Sequence, residues 1–162
     1  MQKANASRNV VTTTLKVGAA PQKVFPLLCP VREYEWIEGW GCELLYSVSG
    51  AAENNCIFTT DRPGEGLRTW VVSRYEPSQT IEFVILQGHA LLIKLDLHLK
   101  RREDGATTLT VTHTITALSE EANGAMEALS GQEIRAKWAF LEAALNHYLK
   151  TGRRLKVASA AE

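Results

Sequence analysis

Alternation between apolar and polar positions divides the chain into a first strand, a short helical region, a run of strands and a final helix. Residues 10–17 (VVTTTLKV) alternate and are rich in β-branched side chains, which predicts the first strand. Downstream, Pro26 and Pro30 prevent one long helix, because proline lacks the backbone N–H and clashes with the preceding turn. We therefore predict two short, bent helices at about 21–29 and 31–37.

Beyond residue 41 the pattern changes to short apolar runs separated by turn residues. The turns contain glycine, proline, asparagine or serine, each of which favours a tight change of direction. Connections this short join antiparallel strands, because parallel strands need a longer crossover. The strands predicted from this pattern are 42–49, 54–61, 67–75, 79–87, 90–102 and 106–117.

The last two predicted strands determine their own pairing. Odd-numbered positions from 91 to 99 are apolar, and the next strand alternates threonine with apolar residues and His113. A three-residue Glu-Asp-Gly turn pairs Leu99 with Leu109 and Leu95 with His113, which brings the two apolar faces to the same side. A two-residue turn would mix the faces, so we expect the longer turn.

A long amphipathic helix is predicted at the C-terminal end. Ser130 and Glu133 form a capping-box pattern at its start, and Gly152 is suited to end it. Apolar residues then recur at helical spacing along one stripe, namely Ile134, Trp138, Leu141, Leu145 and Tyr148. We expect one domain over 1–152 and a disordered tail at 153–162.

Composition narrows the classes of function. The 162 residues suffice for one domain with a core and a cavity. Eighteen basic and eighteen acidic residues give no net charge, which argues against nucleic acid as a partner. The apolar runs are too short to span a bilayer, and the N-terminal residues lack the apolar core of a secretory signal. Three cysteines without a CxxC spacing fit a reducing cytoplasm.

The order of elements resembles the START-like superfamily, also called SRPBCC, which has the helix-grip fold. The segment AAPQKVFPLL (19–28) is similar to the opening of bacterial polyketide cyclase/dehydrase and lipid-transport members, and CPVREYEWIEGW (29–40) to a stretch in bacterial relatives. The resemblance covers about residues 10 to 150. It implies an α+β fold in which a curved seven-stranded antiparallel sheet wraps around the long C-terminal helix, with a hydrophobic cavity between them.

Within that fold, eight residues are candidates for contact with a ligand. Trp36 and Trp40 belong to the helical region that borders the cavity entrance, and form either an aromatic rim or ordinary packing. Trp70 shares strand parity with Arg68 and Arg74, so the pattern does not decide whether its side chain faces the cavity or solvent. The full set of candidates is Trp36, Trp40, Phe58, Trp70, Phe83, Leu95, His113 and Trp138.

His113 is the titratable group on an otherwise apolar face. Either a neighbouring hydroxyl or backbone group satisfies it, or it contacts a ligand. Burial should hold its pKa below the ordinary value of about 6.5. His98 falls on the opposite face, and His89 and His147 lack partners at ligand spacing, so we expect neither a metal ion nor another cofactor.

Two further interpretations concern residues 29–38. Cys29 is either a nucleophile or a small buried residue, and the absence of a nearby histidine in the sequence favours burial. The charged residues Arg32, Glu33, Glu35 and Glu38 are interpreted as a solvated helix face.

Three hypotheses about function follow. The first is binding of a small hydrophobic molecule, such as a lipid, a polyketide or an aromatic metabolite. The second is a cyclase/dehydratase-type enzyme, in which His113 transfers a proton and Thr69, Ser73 or Tyr46 orients the substrate. The third is a protein-binding module similar to the Hsp90-activator relatives of the superfamily. An enzyme requires several polar groups that converge on one spot of the cavity, whereas a carrier requires one or two.

Overall fold

Seven strands and four α-helices make up residues 6–157, the part of the chain that the computed structural model describes. The strands are β1 (Arg8–Val17), β2 (Glu43–Tyr46), β3 (Ile57–Arg62), β4 (Gly66–Glu76), β5 (Thr80–Gln87), β6 (Leu91–Arg101) and β7 (Thr107–Ala117). The α-helices are α1 (Pro21–Val24), α2 (Pro30–Glu33), α3 (Asn123–Glu127) and α4 (Gly131–Thr151), and a 3₁₀ turn, Phe25–Leu28, follows α1. Of the expected tail at 153–162, residues 158–162 lie outside the described part.

The strands form one antiparallel sheet in the order β1-β7-β6-β5-β4-β3-β2. Leu99 pairs with Leu109 and Leu95 with His113, so the predicted register of β6 and β7 is confirmed. Gly105 has a φ of 82°, the left-handed conformation that the three-residue turn requires. The apolar side chains of β6 are consequently buried on one face of the sheet.

Helix α4 packs against that face. Its first turn is capped by Ser130, whose side chain accepts a hydrogen bond from the Glu133 amide at 3.2 Å. Asn146 fastens the helix to the end of β1, because its side chain accepts from the Gly18 amide at 2.8 Å and donates to the Lys16 carbonyl at 2.9 Å. Most of the predicted apolar stripe is buried, namely Ile134, Trp138, Leu141 and Leu145.

The helical region after β1 is more broken than predicted. The first expected helix splits into α1 and the 3₁₀ turn, and the second ends at Glu33 instead of continuing to residue 37. Proline occupies the first or second position of the 3₁₀ turn and of α2. Each proline removes a hydrogen bond that a continuous helix would need, so the chain restarts at Pro26 and again at Pro30.

Two other elements differ from the prediction. Strand β2 stops at Tyr46 because the following residues form a loop around Glu53, whose carboxylate accepts hydrogen bonds from the amides of Val48 and Ser49. Helix α3 was not predicted, and it buries no residue that would produce an apolar stripe in the sequence. Within the described chain, no helix combines the length and the apolar character needed to cross a membrane.

Candidate functional site

A cavity of about 110 Å³ lies between the inner face of the sheet and α4. Strands β3 to β7 contribute one wall, α4 the opposite wall, and the helical region after β1 closes one side. Most of its lining is apolar and includes Leu28, Ile37, Ile85, Ile93, Leu97, Ile115, Leu129, Ile134 and Leu141. The lining between the sheet and α4 is therefore predominantly apolar.

Seven of the eight candidate residues line this cavity, namely Trp40, Phe58, Trp70, Phe83, Leu95, His113 and Trp138. Trp36 is the exception. Only 1% of it is exposed, and its indole Nε1 donates a hydrogen bond to the Leu27 carbonyl at 2.8 Å. Of the two alternatives for Trp36, packing agrees with the structure and the aromatic rim does not, because the turn after α2 directs its ring into the core.

Trp40, by contrast, is half-buried at the cavity wall. Its indole Nε1 donates to the Pro30 carbonyl at 2.8 Å, which fixes the ring against the start of α2. The guanidinium of Arg62 lies 5.8 Å from the centroid of the same ring, at the distance of a cation–π contact. One face of Trp40 is thus held by protein contacts, while the residue still borders the cavity.

Three aromatic rings form one side of the cavity. Phe58 and Trp70 stack with centroids 5.3 Å apart, and Phe83 meets both edge-on at 6.1 and 5.6 Å. The Trp70 indole Nε1 donates to the Thr60 hydroxyl at 2.9 Å, so its polar atom is satisfied. The three rings therefore pack against one another and form an apolar side of the cavity.

A β-bulge in β4 explains why Trp70 is inward although it shares parity with two arginines. The pairing of β4 with β5 shifts between Val72 and Arg74, which adds one residue and reverses the side on which later residues point. Arg68, Trp70 and Val72 consequently share the inner face, whereas Arg74 is exposed.

His113 faces the cavity without a hydrogen-bond partner for its Nδ1. That atom is buried, and no described residue donates to it or accepts from it. The ring meets the Trp138 ring at a 62° angle with centroids 6.0 Å apart. Burial lowers the pKa of His113 to about 4, and the positive charges of Lys137 and Arg68 add to this effect. The imidazole is therefore neutral at pH 7, as expected from its apolar neighbours.

Charged side chains form the other end of the cavity, which the sequence did not predict. The Arg68 guanidinium is almost completely buried; its Nη1 donates to Glu65 Oε2 at 2.9 Å, and Nε and Nη2 donate to Gln87 Oε1 at 3.1 and 2.9 Å. Lys137 Nζ donates to the other oxygen of Glu65 at 2.6 Å. Glu65 therefore bridges two cations and ties the β3–β4 turn to α4.

Glu33 also lines the cavity, at the end of α2. Burial raises the pKa of its carboxyl group to about 8, although the positive charges of Lys137 and Arg62 oppose the rise. The interpretation of residues 32–38 as a solvated face is therefore wrong for Glu33. It holds better for Glu35, which is more than one-third exposed and binds Arg32 through two hydrogen bonds of 2.7 and 2.9 Å.

The polar residues suggested as helpers of His113 lie elsewhere. Tyr46 is more than half exposed on the edge strand β2, and the Ser73 hydroxyl donates to the Glu82 side chain on the exposed side of the sheet. Thr69 does not line the cavity and lies next to Arg68 on the opposite face of β4. Cys29 is buried, and its sulfur accepts a hydrogen bond from the Ala52 amide at 3.1 Å, which agrees with a packing role.

Comparison with known proteins gives structural but not sequence matches. No family model and no curated protein matches the sequence. DynU16, from the dynemicin biosynthetic locus, superposes with a TM-score of 0.64 and 20% identity over 89% of this chain and 48% of its own, so this chain spans about half of DynU16.

Two other solved structures match over most of both chains. Norcoclaurine synthase from Thalictrum flavum, in complex with dopamine and hydroxybenzaldehyde, has a TM-score of 0.67 and 12% identity over 90% of this chain and 88% of its own. CalU16 from Micromonospora echinospora has a TM-score of 0.56 and 15% identity, over 91% of this chain and 90% of its own. At these identities the matches show a shared architecture, and the chain has a helix-grip fold.

Proposed function

We propose that the protein binds a small ligand with an apolar or aromatic body in the cavity between the sheet and α4. One observation carries this proposal: a cavity of about 110 Å³, lined by aromatic and aliphatic side chains, remains open inside an otherwise well-packed domain. Protein interiors are normally packed as densely as organic crystals, so a cavity of this size costs stability when it is empty. A ligand of matching shape would recover the lost contacts.

The size of the cavity favours a single-ring ligand over a long lipid chain. An engineered apolar cavity of about 150 Å³ binds benzene, whereas ordinary ligand pockets measure about 300–1,000 Å³. The stacked pair of Phe58 and Trp70 offers a planar surface for such a ring. The norcoclaurine synthase structure holds dopamine and hydroxybenzaldehyde, which are also single-ring compounds, and this supports the same size class.

Binding is tested by native mass spectrometry of freshly purified protein and by thermal shift with toluene, indole, phenol and fatty acids of increasing length. A cavity-filling variant, Leu95→Phe, should lose the shift, because Leu95 lines the cavity. Leu92→Phe is the matched control, since Leu92 lies three positions before Leu95 on β6 and does not line the cavity. Failure of every compound to shift the melting temperature, with no co-purified mass, would contradict the proposal.

A reducing compartment fits this function. Cys29, Cys42 and Cys56 are all unpaired thiols in the described structure. Free thiols persist where glutathione keeps cysteines reduced, which supports the proposal of a cytoplasmic location.

A second candidate function, acid–base catalysis, is favoured by two groups on the cavity wall whose pKa values are displaced in opposite directions. Glu33 holds its proton up to about pH 8, and His113 remains neutral down to about pH 4. At pH 7 the cavity therefore presents a protonated acid and an unprotonated base, the combination that a dehydration needs. Seven polar or charged residues line it, more than a simple carrier requires, namely Glu33, Thr60, Arg62, Glu65, Arg68, His113 and Lys137.

Dehydration of a β-hydroxyketone would use both groups. His113 would accept the proton α to the carbonyl, and Glu33 would give its proton to the leaving hydroxyl, so that an enone and water result. The test uses 4-hydroxy-4-phenylbutan-2-one, and the absorbance of the enone reports turnover. Glu33→Gln and His113→Leu should each abolish turnover, while Glu38→Gln, a control on the same segment, should retain it. If the wild-type protein forms the enone no faster than buffer alone, β-hydroxyketones are excluded as substrates and the enzyme hypothesis loses its support.

A further inference from the structure

Positive charge predominates at the polar end of the cavity. Three cationic side chains and two carboxyl groups line it, namely Arg62, Arg68, Lys137, Glu33 and Glu65. Because burial keeps Glu33 protonated at neutral pH, Glu65 is the remaining ionised carboxylate of this set. The described lining therefore carries an excess of positive charge at pH 7.

Arg68 is the cation of this set that is buried, and part of its hydrogen-bonding capacity is unused. Its relative exposure is 6%, and a buried guanidinium is costly unless its N–H groups are satisfied. Three of its five N–H groups donate to Glu65 and Gln87. Two further N–H groups remain on a side chain that lines the cavity.

Glu65 does not neutralise this end, since it is shared. One of its oxygens accepts from Arg68 at 2.9 Å and the other from Lys137 at 2.6 Å. A single carboxylate between two cations leaves one positive charge uncompensated, and Arg62 on the ring of Trp40 adds another. The same field reaches across the cavity, because both Lys137 and Arg68 disfavour a proton on His113.

We infer that the ligand is an aromatic carboxylate, whose ring lies among the aromatic side chains and whose carboxylate binds at Arg68 and Lys137. This inference rests on the proposed binding function and specifies its ligand class. A carboxylate matches the planar fork of an arginine and forms charge-assisted hydrogen bonds with it. An amine would face the same cations and be repelled.

Three compounds of nearly identical shape test the charge requirement: benzoate, benzamide and benzamidine. Each has one ring and a planar head group, and their charges at pH 7 are negative, neutral and positive. By isothermal titration calorimetry we expect benzoate to bind roughly ten- to a hundred-fold more tightly than benzamide, because a charge-assisted hydrogen bond contributes that much. Benzamidine should bind more weakly than benzamide.

Variants identify the cations responsible. Arg68→Gln should remove the preference for benzoate over benzamide, while Arg74→Gln, an exposed arginine on the same strand, should keep it. Lys137→Gln should reduce the preference several-fold, with Lys150→Gln as its control on α4. The Lys137 side chain is 47% exposed, so this variant should fold even if Arg68→Gln does not.

The outcomes separate the two proposals. If toluene binds but benzamide or benzamidine binds as tightly as benzoate, the cavity binds ligands and the carboxylate inference is wrong. A preference for benzoate that survives Lys137→Gln unchanged, with Arg68→Gln either unchanged or unfolded, would also overturn it. If neither toluene nor any of the three compounds binds, both the inference and the proposed function fail.

Discussion

Replacing His113 with leucine should stabilise the protein, and the gain should grow as the pH falls. At neutral pH the histidine keeps a buried Nδ1 without a partner in the described structure, beside the ring of Trp138. An unsatisfied buried polar atom costs about 1–3 kcal/mol, and leucine of similar volume removes it. We therefore expect the free energy of unfolding at pH 7.5 to be raised in His113→Leu.

The effect of pH follows from the depressed pKa. His113 titrates near 6.5 in the unfolded chain but near 4 in the folded protein. As the pH falls from 6.5 to 4, the unfolded chain takes up the proton first, so the wild type loses stability through that window and nothing is lost above it. Each pKa unit corresponds to about 1.4 kcal/mol. Lowering the pKa from 6.5 to about 4 therefore makes the full loss of unfolding free energy about 3 kcal/mol.

Urea unfolding of both proteins at pH 7.5, 5.5 and 4.5 measures this difference. Far-ultraviolet circular dichroism is the appropriate signal, because the mutation lies against a tryptophan and would alter fluorescence. All other titratable groups are shared by the two proteins, so their contributions cancel in the stability difference, provided that the two proteins have the same denaturant slope. A stability difference that stays constant with pH, or an NMR titration that places the pKa of His113 above 6.5, would refute the buried-neutral imidazole.

Four further substitutions test other parts of the structure. Trp36→Ala should cost about 3–5 kcal/mol of unfolding free energy and Trp40→Ala less than 3, because Trp36 is fully buried and Trp40 is not; equal costs in urea titrations would contradict this. Glu33→Gln should gain up to about 5 kcal/mol over wild type between pH 4.5 and 8, since the raised pKa makes ionisation of the folded carboxyl unfavourable; a pH-independent difference would argue against it. Gly105→Ala should lower stability by about 1 kcal/mol because its φ is 82°; an unchanged melting curve would exclude that cost.

The sheet and the long helix could be predicted from sequence because each buries one face. In β6 and β7 a slip of one residue would move every apolar side chain to the wrong side, so the pairing of Leu95 with His113 has no close competitor. The stripe from Ile134 to Leu145 is equally specific, and a serine cap and a terminal glycine mark its ends. In these regions the spacing of the apolar residues and the residues that begin and end each element predict the same structure.

The helical region between β1 and β2 lacks such a pattern, and the misassigned residues lie there. Segments of four residues are too short to display a helical period, so burial of one residue does not predict that of the next. Trp36 and Trp40 are four residues apart, yet one fills the core and the other borders the cavity. Glu33 looked like part of an exposed charged face because its burial depends on α4 and β3, which are distant in the chain.

The charge inside the cavity is a property of the fold that no local motif reveals. Basic and acidic residues are equal in number over the whole chain, so composition predicts no field. Folding nevertheless brings Arg62 from β3, Arg68 from β4 and Lys137 from α4 to one end of an apolar cavity, with Glu65 placed between two of them. Arg68 is buried there, and a buried charge acts more strongly than the same charge on the surface. The specificity of the site therefore depends on how the elements are arranged, which the hydrophobic pattern of each element does not encode.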